Sequence, residues 1–122
     1  MSDLYQDIII DEAKHPAHFG ELKSADKTST QYNASCGDVV SVFIKLSEDK
    51  TTLTKINWTG EGCTISIAAM SLLTRTLEGK KVAQILKLGQ AELLELLHLD
   101  DIAPGRIKCL NIGLKTIQKA LQ

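Results

Sequence analysis

No charge of one sign dominates this chain. Its 14 basic and 15 acidic side chains leave a formal charge of −1 over 122 residues. Without a cationic surplus, nucleic-acid binding is excluded as a main activity. No apolar run approaches the roughly 20 residues of a membrane-spanning helix, so no membrane role is expected. No basic leader precedes an apolar stretch at the N-terminus; no secretory signal is read, and a cytoplasmic location is expected. Repeats, linkers and low-complexity tracts are also missing. Cysteine is scarce and odd in number: 3 residues, which cannot close into a complete set of internal disulfides. Thiols in the cytosol serve burial, metal binding or reactivity. No two of them form Cys-x-x-Cys, so spacing alone gives no zinc-ribbon, ferredoxin or thioredoxin signal.

What is present is ordinary globular composition, 43% hydrophobic and 24% charged. The length fits a single domain over residues 1–122, which buries roughly two-thirds of its unfolded surface and needs no disulfide staples. Residues 2–14 place Leu4, Tyr5, Ile8 and Ile9 on one helical face, with Ser2 as cap. A polar loop then leads to a weak strand at 28–32. Residues 39–46 alternate cleanly and predict a strand, with Val40, Val42, Ile44 and Leu46 on one face. The turn residues 47–50 return the chain into a second strand at 53–59, with Ile56 and Trp58 facing together. After Gly60-Glu61-Gly62 the period becomes helical, and the stripe Ile65, Ala68, Ala69, Leu72 and Leu73 predicts an interior helix. Short helices at 82–88 and 91–97 follow. A last helix carries Ile107, Leu110, Leu114, Ile117 and Leu121 on one side. Strands first and helices later predict an α+β fold, a small antiparallel three-stranded sheet packed by helices.

The cysteines stand at element boundaries. Cys36 precedes Gly37 and Asp38 in the turn before the best strand, where a glycine lets the backbone approach a ligand. Cys63 opens the apolar helix, and the positive end of a helix dipole favours thiolate. Cys109 lies in the first turn of the last helix, beside Lys108 and near Arg106; it falls about 200° from Ile107 and points away from the apolar stripe. Each taken alone could simply pack, since free cysteine is among the most buried residue types. Three such boundary positions weaken that reading. Three thiolates with the Asp38 carboxylate make a complete, if labile, four-coordinate donor set.

Leu4-Tyr5-Gln6-Asp7-Ile8-Ile9, His15-Pro16-Ala17-His18-Phe19-Gly20, Cys36-Gly37-Asp38, Gly60-Glu61-Gly62-Cys63-Thr64-Ile65-Ser66 and Arg106-Ile107-Lys108-Cys109 follow one another in an order that resembles the iron–sulfur cluster scaffold family: IscU, SufU and the N-terminal domain of NifU. The resemblance spans essentially the whole chain. It implies the IscU/NifU-N-like (SufE/IscU-type) fold, with a solvent-facing site at one end built from Cys36, Asp38, Cys63 and Cys109. It further implies sulfur received as persulfide from a cysteine desulfurase, iron, a transient [2Fe-2S] cluster, and recipient apo-proteins. Zinc is implied as a resting or substitute metal on the same ligands. Such a protein is a platform rather than a turnover enzyme; the enzymatic alternative is a zinc-dependent sulfurtransferase of SufU type. Cys36 is the candidate persulfide acceptor, because its glycine-flanked loop can move, with Cys109 as the alternative.

Two departures divide the family. Lys108 stands where IscU has histidine, which is similar to SufU and NifU; yet the 46-residue step from Cys63 to Cys109 leaves no room for the insertion usual in SufU. Residues 102–108 lack the Leu-Pro-Pro-Val-Lys segment of IscU, so a dedicated Hsp70 chaperone is a doubtful partner. Lys108 is read as a solvated side chain, a cation beside the sulfurs, or a stand-in ligand to zinc, for which a protonated lysine is poorly suited. His15, His18 and His98 are read as structural or surface residues.

Overall fold

The computed structural model describes residues 3–33, 37–97, 99 and 104–122; for residues 3–6 only the backbone enters the description. The strands are β1 (Lys27–Asn33), β2 (Asp38–Leu46) and β3 (Leu53–Glu61). They form one antiparallel sheet in the order β1-β2-β3. The register follows the hydrophobic pattern: Val40, Val42, Ile44 and Leu46 of β2 are buried, with Leu53, Ile56 and Trp58 of β3 on the same face. Slipping β2 by one residue would turn its four apolar side chains to water. The β2–β3 connection is tightened by Asp49, whose Oδ1 accepts from the Ser47 and Thr51 hydroxyls.

The helices are α1 (Asp3–Lys14), α2 (Thr64–Leu77), α3 (Val82–Ile85), α4 (Gln90–Leu96) and α5 (Ile107–Leu121), with a single 3-10 turn at Pro104–Arg106. α5 lies across β1 and β2, α2 packs against both α5 and β3, and α1 covers α2. The three-stranded sheet under helices is therefore the predicted α+β architecture. α3 is shorter than the expected 82–88, and α4 has the expected length, displaced by one residue. Val82 N–H and Leu53 N–H are taken up by Thr51 and Lys80 carbonyls, which pins this stretch to the hairpin. His98, Ser2 and residues 100–103 lie outside the described residues.

Two expectations change. On α1, Ile9 is buried as predicted but Ile8 is 38% exposed, and the side chains of Leu4 and Tyr5 lie outside the described residues, so the described inner face differs from the predicted one at Ile8. It runs through Ile9, Glu12 and Ala13, because Glu12 is drawn inward by the Ser71 hydroxyl and by Arg75 Nε at 2.9 Å. On α2, the buried set includes Ser66, Ser71 and Thr74, whereas Ile65 and Leu72 are only half-buried. Each of those hydroxyls finds an acceptor: Cys63 O, Glu12 and Ser71 O. A buried hydroxyl so satisfied costs little, and hydropathy patterning cannot foresee it.

Residues 17–20 run along the outer edge of β3. His18 O accepts from Trp58 N–H at 3.0 Å, Gly20 N–H donates to Trp58 O at 2.7 Å, and Trp58 Nε1–H donates to Ala17 O at 2.8 Å. Phe19 meets the Trp58 ring edge-on at 4.9 Å. His18 lies 3.6 Å from Glu78 and His15 3.5 Å from Asp11, contacts of the structural and surface kind expected of them.

Candidate metal centre

At the end of the sheet where β2 begins and β3 ends, three donors converge. Asp38 is the first residue of β2, Cys63 is the N-cap of α2, and Cys109 sits in the first turn of α5. One ligand atom from each lies within 4.8 Å of the others. A four-coordinate zinc with bonds of about 2.0–2.3 Å holds its ligand atoms about 3.5–3.8 Å apart, so a small contraction closes this group on an ion. Cys36, the fourth predicted member, lies outside the described residues. Gly37, which follows it, has φ +72°, a left-handed turn that favours glycine; its N–H donates to Asn33 O at 2.9 Å.

Asp38 is 2% exposed. Its Oδ1 accepts from the Cys63 N–H at 3.2 Å, while Oδ2 has no hydrogen-bond partner among the described residues. A dry carboxylate oxygen without a donor is costly, and a cation would complete it. The donor set therefore fits a metal ion of mixed sulfur and oxygen preference, such as zinc or iron.

The glycine motif before Cys63 has a steric reason. A Cβ on Gly62 would meet the Ser66 hydroxyl and, at 2.6 Å, Asp38 Oδ1. Gly60 presses on the Val39 carbonyl in the same way. Both positions must lack a side chain for the β3–α2 corner to close over Asp38.

The electrostatics favour thiolate at Cys63. Burial pushes its pKa up, but the Ser66 N–H, the Cys109 thiol, the Ser66 hydroxyl and the Ile65 N–H face the sulfur and bring it below the usual thiol value. Arg106 supplies the positive charge: the Cys63 thiolate, then hydrogen bonding to Cys109 and Cys63, raises the arginine pKa further. Arg106 stands three residues before Cys109, one turn away on the same side of the helix start. Lys108, adjacent in sequence, is exposed, and it is Arg106 that faces the sulfurs.

Cys109 corrects the expectation of an outward thiol. It is fully buried, because α5 is covered on two sides, by the sheet and by α2, and a single apolar stripe does not describe such a helix. Among the described residues the site is accordingly recessed rather than solvent-facing, with half-buried Cys63 and exposed Arg106 at its mouth. In the sequence Arg106 is visible only as a neighbouring cation, Ser66 only as the end of the glycine–cysteine motif, and Asn33 carries no signal.

The iron-sulfur cluster assembly scaffold protein IscU of Streptococcus pyogenes serotype M1 is 32% identical to this chain over 138 aligned positions, covering 100% of this chain and 85% of that one. The alignment is longer than the 122 residues here, so that relative carries inserted residues. The zinc-dependent sulfurtransferase SufU of Bacillus subtilis (strain 168) is 28% identical, covering 99% and 91%. A crystal structure of a candidate SUF-system scaffold from Fervidobacterium islandicum AW-1 shares the fold, with a TM-score of 0.82 and 24% identity over 100% of this chain and 96% of that one. The family model described as NifU-like N terminal domain matches from residue 4 to residue 122. Almost every residue of this sequence, including all three cysteines and Asp38, thus falls inside the matched stretch, and the chain belongs to the NifU-like N-terminal domain family.

Proposed function

We propose that this chain is a scaffold for iron–sulfur cluster assembly. It accepts sulfur as persulfide from a cysteine desulfurase, accepts iron, holds a transient [2Fe-2S] cluster on Cys36, Asp38, Cys63 and Cys109, and passes the cluster to recipient apo-proteins. The single observation that carries this reading is Asp38 Oδ2, buried and without a partner among the described residues, beside two sulfurs. The naming of the Streptococcus pyogenes relative as a scaffold supports it.

The cluster is cargo, and the chain's residues act as its cradle. In the sulfur step the Cys36 thiolate attacks the outer sulfur of the desulfurase persulfide. One S–S bond breaks and another forms, and the desulfurase cysteine leaves as thiolate. Cys63, held below the usual thiol pKa, gives up its proton to an incoming metal more readily than an ordinary thiol. Arg106 offsets part of the negative charge gathered by the thiolates and the carboxylate. Asp38 is the hard donor in a soft set and the weakest hold on iron, so it sets the ease of release.

Anaerobic reconstitution with iron, cysteine and a cysteine desulfurase tests the reading. A [2Fe-2S] absorption spectrum that transfers to an apo-ferredoxin is expected. Asp38→Ala should lengthen the lifetime of the bound cluster and slow its transfer; faster decay would contradict the release role. The second reading, a zinc-dependent sulfur acceptor, is favoured by Lys108 before Cys109 and by the Bacillus subtilis relative's name. Tight zinc, stimulation of the desulfurase and no cluster would select it.

A further inference from the structure

Among the described residues only two buried side-chain polar atoms lack a hydrogen-bond partner: Asp38 Oδ2 and Asn33 Nδ2. They belong to residues paired directly across β1 and β2 at the end where the 34–37 connection joins the two strands. Directly opposed residues project from the same face of a sheet, with Cβ atoms about 4.5–5.5 Å apart. The alternation of β1 agrees, since Lys27, Ser29 and Gln31 turn inward with Asn33 while Thr28, Thr30 and Tyr32 are exposed. Asn33 is 8% exposed.

An amide donor and a carboxylate acceptor so placed ordinarily bond to each other. Here neither does, and leaving each open in a dry site carries a desolvation cost. Two complementary atoms left open on directly opposed residues suit a third group that takes both. A cation takes Oδ2. The amide N–H requires an electron-rich acceptor, and a site whose other donors are thiolates offers sulfur. Asn33 is placed for this in a second way: its carbonyl accepts from Gly37 N–H at 2.9 Å, so the same residue closes the base of the loop that carries Cys36.

We propose that Asn33 is a positioning residue, whose Nδ2–H donates to a metal-bound sulfur once the Asp38 site is filled. This rests on the metal-site reading above and deepens it. The hydrogen bond withdraws charge from the sulfur and fixes the loop base, as outer-shell donors do around metal ligands generally. In the metal-free chain the donor has no partner among the described residues, so the side-chain amide is expected to add no hydrogen-bond stabilisation there.

The experiment uses the full chain, metal-free, with Asn33→Leu, which keeps the size without the donor, and Asn33→Ala as a second variant. Each is titrated with cobalt(II), followed by the sulfur-to-metal charge-transfer band, and with zinc against a chromophoric chelator. The wild-type chain is expected to take up one ion with a sulfur charge-transfer band. The variants should keep that stoichiometry, with the band moved to lower energy and the dissociation constant raised about tenfold or more. Their metal-free melting temperatures should equal or exceed the wild-type value. An unmoved band and unchanged affinity in both variants overturn the role of Asn33. So does a metal-free chain that is destabilised or unfolded in both, since that places the donor's bond in the empty protein. A wild-type chain that takes up neither ion overturns the metal reading itself, and Asn33 with it.

Discussion

Gly62 is the residue on which the site most depends without supplying a donor. Any Cβ there meets Asp38 Oδ1 at 2.6 Å and the Ser66 hydroxyl, so Gly62→Ala must displace the carboxylate or open the corner. Overpacking of this kind costs about 1–3 kcal/mol. The expected outcome is that loss in urea denaturation, together with weakened zinc binding. Cys63 gives a second prediction, on pH. Its folded pKa lies below the ordinary thiol value of 9.0, so the folded state favours the thiolate. Its stabilising contribution is fully present above the unfolded pKa and is lost as pH falls through the lower folded value. The metal-free protein should therefore gain stability as pH rises toward 9.0, and Ser66→Ala, which removes one of the donors, should weaken that gain. Mass-spectrometric mapping of Cys63 alkylation against pH checks the thiol directly, and a profile unchanged by Ser66→Ala would contradict the assignment. At this scale the sequence was informative where chemistry is local. Asp38 beside a glycine turn and Cys63 at a helix start are legible from neighbours alone. The burial of Cys109 is not, because it depends on α5 being covered twice. Nor is the choice of Arg106 over Lys108, since a helix brings the residue three positions away, not the adjacent one, to the same side.

Elements read differently from residues. β2 could be placed from its alternation because one face meets the core and the other water, the condition under which period-two patterning is faithful. α1 could not be oriented, since its anchor is a charge rather than a hydrophobe. Glu12, whose side chain is 15% exposed, bonds the Ser71 hydroxyl and lies 2.9 Å from Arg75 Nε. Ser71 Oγ in turn accepts from Ala17 N–H at 2.7 Å, which links α1 to the segment at the edge of β3. Removing the carboxylate breaks this chain of bonds in one step. Glu12→Ala should cost about 1–2 kcal/mol, the lower part of the range for hydrogen bonds to charged groups because Arg75 is largely exposed. Amide exchange should rise most in α1, and equal protection across the molecule would refute the local anchor.

At the scale of the whole molecule, the donors come from three separated points: the start of β2, the β3–α2 corner and the start of α5. An ion bound there ties the sheet to both long helices, and binding to the native chain alone must stabilise it by mass action. Zinc at a hundredfold excess over its dissociation constant should add about 2.7 kcal/mol, read as a higher melting temperature that a chelator reverses. An unaffected melting temperature would mean that no ion joins these elements. Such long-range convergence is invisible to patterning; in the sequence it could be sensed only through the ordered motifs that resemble a family. The molecule also carries its own optical probe of this region. Trp58, the single tryptophan, is fully buried, bonded to Ala17 O and covered by Phe19, and it lies on the strand that ends just before Cys63. Its emission is therefore a label-free signal whose red shift would time the detachment of residues 17–20 in a stopped-flow instrument, with no dye near the sulfurs.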